Sequence, residues 1–152
     1  MWETLQRYRT LDRESQRLFL RAAMILPMIR VSLRTRGYNK TFASLQNRLR
    51  PAPGEPFEGA EQARKTTRMV RAALRYSLMH FTCLEESLGL WYLLRTQGIS
   101  PQLRIGVRKT NGKFEAHAWV EHNGEALNQP EATHEHYAAF EQEFSDPPVE
   151  RP

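Results

Sequence analysis

The hydrophobic period of the chain changes at Pro101. Before this residue, apolar side chains recur every three or four positions, which is the spacing of one buried helix face. After it, apolar and polar residues alternate, as they do on a half-buried strand. Helices that come first and strands that follow predict an α+β fold, in which N-terminal helices precede a small antiparallel sheet. A chain of 152 residues has the size of a single domain.

The first helical stretch carries signals for its beginning and its end. Asp12 or Ser15 can cap it, and Gly37 should end it. A proline inside a helix removes a hydrogen bond and clashes with the preceding turn, so we expect Pro27 to kink this helix or split it in two. A short second helix is predicted over residues 40–49.

A further helix is predicted from Ala60 to about His80. One side of it carries arginines at steps of four, three and four: Arg64, Arg68, Arg71 and Arg75. This arginine stripe fits a basic ridge that holds a peptide or a partner, but a solvated helix face is the commoner role of such a stripe.

Charge is divided unevenly along the chain. Residues 1–80 hold 16 Lys and Arg against 6 Asp and Glu, a net charge of +10, whereas residues 81–152 hold 6 against 11, a net charge of −5. Opposite signs favour docking of the two halves on each other, and they also suit an acidic peptide or phosphate partner. No nucleic-acid motif accompanies the basic half, so we do not expect nucleic acid as a partner.

Two strands and a hairpin are predicted after Pro101. The strands cover residues 103–108 and 114–121, and Asn123-Gly124 is the strongest hairpin signal in the chain. This turn should return the chain along residues 125–129. The acidic stretch over residues 131–144 is predicted to form an amphipathic helix.

The only cysteine of the chain stands at a predicted helix start. Thr82 and Glu85 have the spacing of a capping box, which places Cys83 at the first helical position. Free backbone N–H groups and the helix dipole favour a thiolate there, as a cysteine nucleophile requires. The structural alternative is a small buried residue, which is the commoner role of a lone cysteine. The buried face of this helix is predicted from four residues: Leu84, Leu88, Trp91 and Leu94.

A histidine and an amide can complete a catalytic set with this cysteine. The two-residue turn fixes a register in which Trp119 faces Asn128, and Asn128 then lies diagonally from His117 on one side of the sheet. Cys83, His117 and Asn128 would act as nucleophile, base and orienter in acyl transfer, with the Cys83 N–H as an oxyanion donor. The structural alternative for His117 is a strand histidine that bonds water or backbone.

Several classes of protein are not indicated. One cysteine excludes an internal disulfide and suits a reducing cytoplasm, and the N-terminus lacks the features of a signal peptide. Residues 18–33 are apolar but interrupted and shorter than the ~20 residues of a membrane span, which favours a buried or membrane-skimming helix over a crossing one. The histidines have no metal-ligand spacing, and no glycine-rich phosphate loop is present. We therefore expect no metal and no cofactor.

Three stretches, residues 83–99, 103–108 and 114–121, resemble the transglutaminase-like leader peptidases of bacterial lasso-peptide biosynthesis, in their stand-alone form. The resemblance implies a papain/transglutaminase-like cysteine peptidase core over residues 60–145, preceded by a helical extension over residues 1–50. It further implies that the enzyme removes the leader of a ribosomally synthesised precursor peptide. A separate leader-recognition (RRE-type) protein and an ATP-dependent macrolactam cyclase are the implied partners.

The resemblance assigns the nucleophile to Cys83 and the base to His117. The third residue in this family is usually an aspartate about a dozen residues after the histidine, where this chain has Asn128 and Gln129. Asn128 can orient a histidine but supplies no charge, and Gln129, Glu131 and Asp146 are the alternatives. Two other functions stay open: transglutaminase-like acyl transfer onto an amine, and a non-catalytic adaptor that docks peptide.

Overall fold

The computed structural model describes residues 2–50, 59–129 and 138–139, and gives only the backbone of residues 2–5, 138 and 139. Four helices precede four short or medium strands, so the predicted α+β order is confirmed. The elements are α1 (Trp2–Arg9), α2 (Arg13–Arg48), α3 (Ala60–Tyr76), α4 (Cys83–Thr96), β1 (Gln102–Thr110), β2 (Lys113–His122), β3 (Glu125–Ala126) and β4 (Ala138–Ala139).

Helix α2 begins as predicted and is interrupted at Gly37, the residue predicted to end its first part, but it is not divided at Pro27. Asp12 is its N-cap and accepts hydrogen bonds from the amide and the hydroxyl of Ser15, at 3.2 and 2.6 Å. The helix continues through Pro27, and its non-helical residue is Gly37, with φ 78° and ψ 176°. The prediction that Pro27 splits the helix is therefore wrong. Burial of the apolar side chains around Pro27, worth about 1.5–3 kcal/mol each, offsets a proline cost of about 3 kcal/mol.

Helices α2, α3 and α4 share one hydrophobic core. Both arms of α2 contribute to it, with Leu26 and Ile29 before Gly37 and with Phe42 after it. Helix α4 is buried on most sides and approaches α2 closely at Gly89, where a Cβ would lie 2.8 Å from Leu26 Cδ2. The residues of α2 therefore form part of the same core as the cysteine helix.

The sheet has the strand order β3-β2-β1-β4, and every neighbouring pair is antiparallel. Both hairpin turns have two residues with positive φ, Asn111-Gly112 and Asn123-Gly124, as a type I′ turn requires. The second turn sets the predicted register, with Glu121 opposite Ala126.

Two predictions for the segment after this turn are wrong. Strand β3 ends at Ala126, so Trp119 does not pair with Asn128; the Asn128 side chain instead accepts a hydrogen bond from the Val120 amide at 2.8 Å. The acidic helix over residues 131–144 is contradicted by β4, which pairs with β1. A strand satisfies the backbone groups at the β1 edge, and a helix cannot. The rest of that segment lies outside the described residues.

None of the helices in the described part of the chain is long and apolar enough to cross a membrane.

Candidate active site

Cys83 is the first residue of α4, and the predicted capping box is present. The Thr82 hydroxyl accepts a hydrogen bond from the Glu85 amide at 3.3 Å, and the Thr82 amide donates to Glu85 Oε2 at 2.8 Å. Cys83 itself is half-buried and forms no disulfide. The cap fixes the backbone on both sides of the sulfur while leaving it within reach of a reagent or substrate.

The carboxylate of Glu85 also joins α4 to α2. Its Oε1 lies 3.2 Å from Arg30 Nε, and the side chains are only 5% and 14% exposed. The same guanidinium donates to the backbone carbonyl of His80 and lies 4.9 Å from the ring centroid of Phe81. The segment that leads into Cys83 is therefore held by a cation from a distant helix.

The first turns of α4 are bonded to the edge of β2. The Ser87 hydroxyl donates to the Ala118 carbonyl at 3.0 Å, where the ladder with β3 has ended. Residues four apart on a helix lie on the same face, about 5–6 Å apart, so Ser87 shares its face with Cys83. Ala118 is the neighbour of His117. The turn that begins with the cysteine therefore lies against the strand segment that carries the histidine.

His117 lies where β2 passes from exposed to buried. The four residues before it are exposed, and the three that follow are buried. Its ring is stacked on Trp119, with centroids 6.1 Å apart and planes 19° apart. Burial, and then the positive charge of Arg108, lower the pKa of His117 from its usual value. A lowered pKa favours the neutral imidazole, which is the form that can take a proton from a thiol.

Asn128 connects α4 with β2. Its Oδ1 accepts from the Val120 amide at 2.8 Å, and its Nδ2 donates to the Ser87 hydroxyl at 3.0 Å. These contacts make Asn128 a bridge between the helix and the strand, and its role as orienter of His117 stays a prediction. Of the alternatives, Gln129 is buried, with no hydrogen bond to its Oε1 within the described part of the chain. Glu131 and Asp146 lie outside that part.

Sequence reasoning missed three residues around Cys83: Arg30, Glu86 and Ser87. Glu86 lies three positions after Cys83, and its pKa is raised by burial, against the opposing effects of Arg71 and of a hydrogen bond with Asn128. Helical spacing from the cysteine could have indicated Glu86 and Ser87. No local signal indicates Arg30, which is 55 residues away from its partner.

The arginine stripe of α3 contacts the sheet half of the molecule. Arg64 forms an ion pair with Glu125 at 3.1 Å, and Arg71 donates to the Leu127 carbonyl at 3.4 Å. These contacts agree with docking of the basic half on the acidic half. No metal-binding group of three His, Cys, Asp or Glu residues occurs within the described ranges.

Comparison with protein families gives a match for this chain. The model of the transglutaminase-like superfamily matches residues 24–142, which include both Cys83 and His117. Comparison with curated proteins gave no match, and comparison with solved structures gave none either. The match covers more than half of the chain and agrees with its α+β order of helices and strands. The chain therefore belongs to the transglutaminase-like superfamily.

Proposed function

We propose that this protein is a cysteine endopeptidase that removes the leader from a lasso-peptide precursor. Superfamily membership supports cysteine peptidase or acyl-transfer chemistry in general. The observation that carries the proposal is the Ser87–Ala118 hydrogen bond, because it brings the helix start with the cysteine against the strand with the histidine. The resemblance described above supplies the pathway.

In the proposed reaction, His117 takes the proton of the Cys83 thiol, and the thiolate attacks the scissile carbonyl. The Cys83 backbone N–H is the candidate donor to the developing oxyanion. The imidazolium then gives its proton to the leaving amine as the peptide bond breaks. Water, activated by His117, hydrolyses the resulting thioester and restores the thiol. The released leader ends in a carboxylate, and the core peptide carries a free amine.

The proposed setting has two further proteins. A separate leader-recognition protein would present the precursor, and an ATP-dependent cyclase would close the macrolactam on the freed amine. The single free thiol suits a reducing cytoplasm.

The experiment is cleavage of the precursor in the presence of the recognition protein, followed by mass spectrometry. We expect two fragments from the wild-type chain, no fragments with Cys83→Ala, and a rate about 10²–10⁴-fold lower with His117→Ala. Circular dichroism and the unfolding midpoint of both variants serve as folding controls. Normal processing by a folded Cys83→Ala variant would contradict the proposal.

The same spectra separate two alternatives. Transfer onto an added amine would give a product with the mass of the acyl fragment plus the amine, and would indicate an acyl transferase. Binding of the precursor without any product would indicate an adaptor.

A further inference from the structure

Arg30 of α2 contacts the chain on both sides of Cys83. Before the cysteine, it donates to the His80 carbonyl and lies over the Phe81 ring; after it, it pairs with Glu85. We propose that Arg30 is a positioning residue that holds Cys83 in place for reaction. This inference deepens the proposed function and rests on it.

The Glu85 carboxylate transmits this contact to the cysteine. One oxygen pairs with Arg30, and the other accepts from the amide of Thr82, the residue that immediately precedes Cys83. A capping box can form in an isolated helix, so by itself it does not fix the position of the helix start relative to the rest of the fold. Its pairing with Arg30 ties the helix start to a helix more than 50 residues away in sequence.

The chemistry of the contact suits positioning. A guanidinium has several donors in a fixed planar fork, so it can hold a carboxylate and a carbonyl at once in one geometry. An ammonium carries the same charge without that fork. A buried ion pair gives little net stability compared with apolar side chains of the same size. Here the ion pair instead fixes the position of α2 relative to the backbone around the Cys83 sulfur.

Within the described residues, the hydrogen bonds and the ion pair of Arg30 all go to the segment around Cys83 and none goes to the sheet. The helix start is bonded there through Ser87, and the Arg30 contacts approach it from α2. The cysteine segment is thus held between two parts of the molecule. Loss of either contact leaves the chain folded around its apolar core but frees the segment to shift, and a misplacement of ~1 Å can cost about 10²-fold in rate.

The variants for the test are Arg30→Lys and Arg30→Met, with Lys65→Met as the matched control. Lys65 of α3 joins that helix to the start of α2 through two ion pairs, with Glu14 at 2.7 Å and with Asp12 at 3.0 Å. It has no described contact with residues 80–86. Arg30→Lys keeps the charge, so it still tests the proposal if Arg30→Met does not fold.

Two measurements are made on each variant: hydrogen exchange of peptides covering residues 80–86, and cleavage kinetics. For Arg30→Lys we expect exchange about tenfold faster in that segment, with unchanged protection in α3, and kcat about 10–100-fold lower at similar KM. Lys65→Met should change neither the exchange in that segment nor kcat, although it also removes two ion pairs that join α3 to the start of α2.

The inference is overturned if Arg30→Lys leaves exchange of residues 80–86 unchanged, or if exchange rises while kcat stays at the wild-type value. It is also overturned if Lys65→Met has the same effects, because these would then reflect general destabilisation. Absence of cleavage by the wild-type chain would contradict the proposed function instead, and the exchange data would still decide whether Arg30 fixes the segment.

Discussion

Cys83 and His117 are held in different ways. The cysteine segment is fixed by contacts from several elements: its own capping box, the Arg30–Glu85 pair and the Ser87 hydrogen bond. The histidine lies on β2, opposite Gly106 of β1, at the point where β2 passes from exposed to buried, and its ring packs on Trp119. Cys83 is therefore tied to several elements through its neighbours, whereas the pKa of His117 responds to burial and to the charge of Arg108.

The largest expected difference is between the cysteine side of the site, which is α4 and the segment before it, and the sheet side, which carries His117. The quantity that differs is the free energy of unfolding lost when one carboxylate is removed. Glu85→Ala removes a buried partner of Arg30 and one half of the capping box, so we expect it to lower the free energy of unfolding by about 3–5 kcal/mol. Glu121→Ala removes the corresponding partner of Arg104 on the sheet side, where both side chains are more exposed. It also leaves the Trp119 indole N–H without its acceptor, and we expect a loss of about 1–3 kcal/mol.

Urea denaturation of the two variants measures both losses, provided that the free energy of unfolding changes with urea concentration at the same slope as in the wild type. Equal losses, or a larger loss for Glu121→Ala, would contradict the idea that the cysteine side is the more firmly held.

Asn128 connects the two sides, and its replacement tests what that connection contributes. Asn128→Ala leaves the Val120 amide without its acceptor and removes the donor to the Ser87 hydroxyl, which keeps its bond to the Ala118 carbonyl. The unpaired amide should cost about 1–3 kcal/mol of unfolding free energy. Asn128→Asp keeps the acceptor for Val120 and should restore part of this loss. If Asn128 is only a bridge, kcat should follow stability in the two variants. A fall in kcat with Asn128→Ala at unchanged stability would support its role as orienter of His117.

The smallest expected effect is on the pH dependence of stability. Because burial and Arg108 lower the pKa of His117 below its usual 6.5, the folded chain binds this proton more weakly than the unfolded chain. The contribution of His117 to stability is therefore present above about pH 6.5 and is lost as the pH falls through the folded-state pKa. His117→Gln, which has no charge to gain, should remove this contribution.

Thermal unfolding midpoints between pH 5 and pH 8 compare the two proteins. On acidification below pH 6.5, the midpoint temperature of unfolding should fall further for the wild type than for His117→Gln. Parallel curves for the two proteins would show that His117 titrates as it does in the unfolded chain.

The start of the cysteine helix and the second hairpin could be predicted from the sequence because their determinants are local. The capping box depends on two residues three positions apart, and the hairpin at Asn123-Gly124 depends on two residues that tolerate positive φ. The same applies to the separation of helices from strands at Pro101. Each of these signals acts within a few residues and keeps its meaning in the folded chain.

The tertiary structure decided the rest. Pro27 stays inside a helix because its buried neighbours outweigh its cost, and Ala138–Ala139 form a strand because β1 presents an edge. The position of Asn128 follows from the end of β3 and the approach of Ser87, and neither can be read from spacing. The sequence by itself determined where the cysteine helix begins, since capping is local; only the tertiary structure decided what holds it there, since Arg30 meets Glu85 only when distant helices pack together.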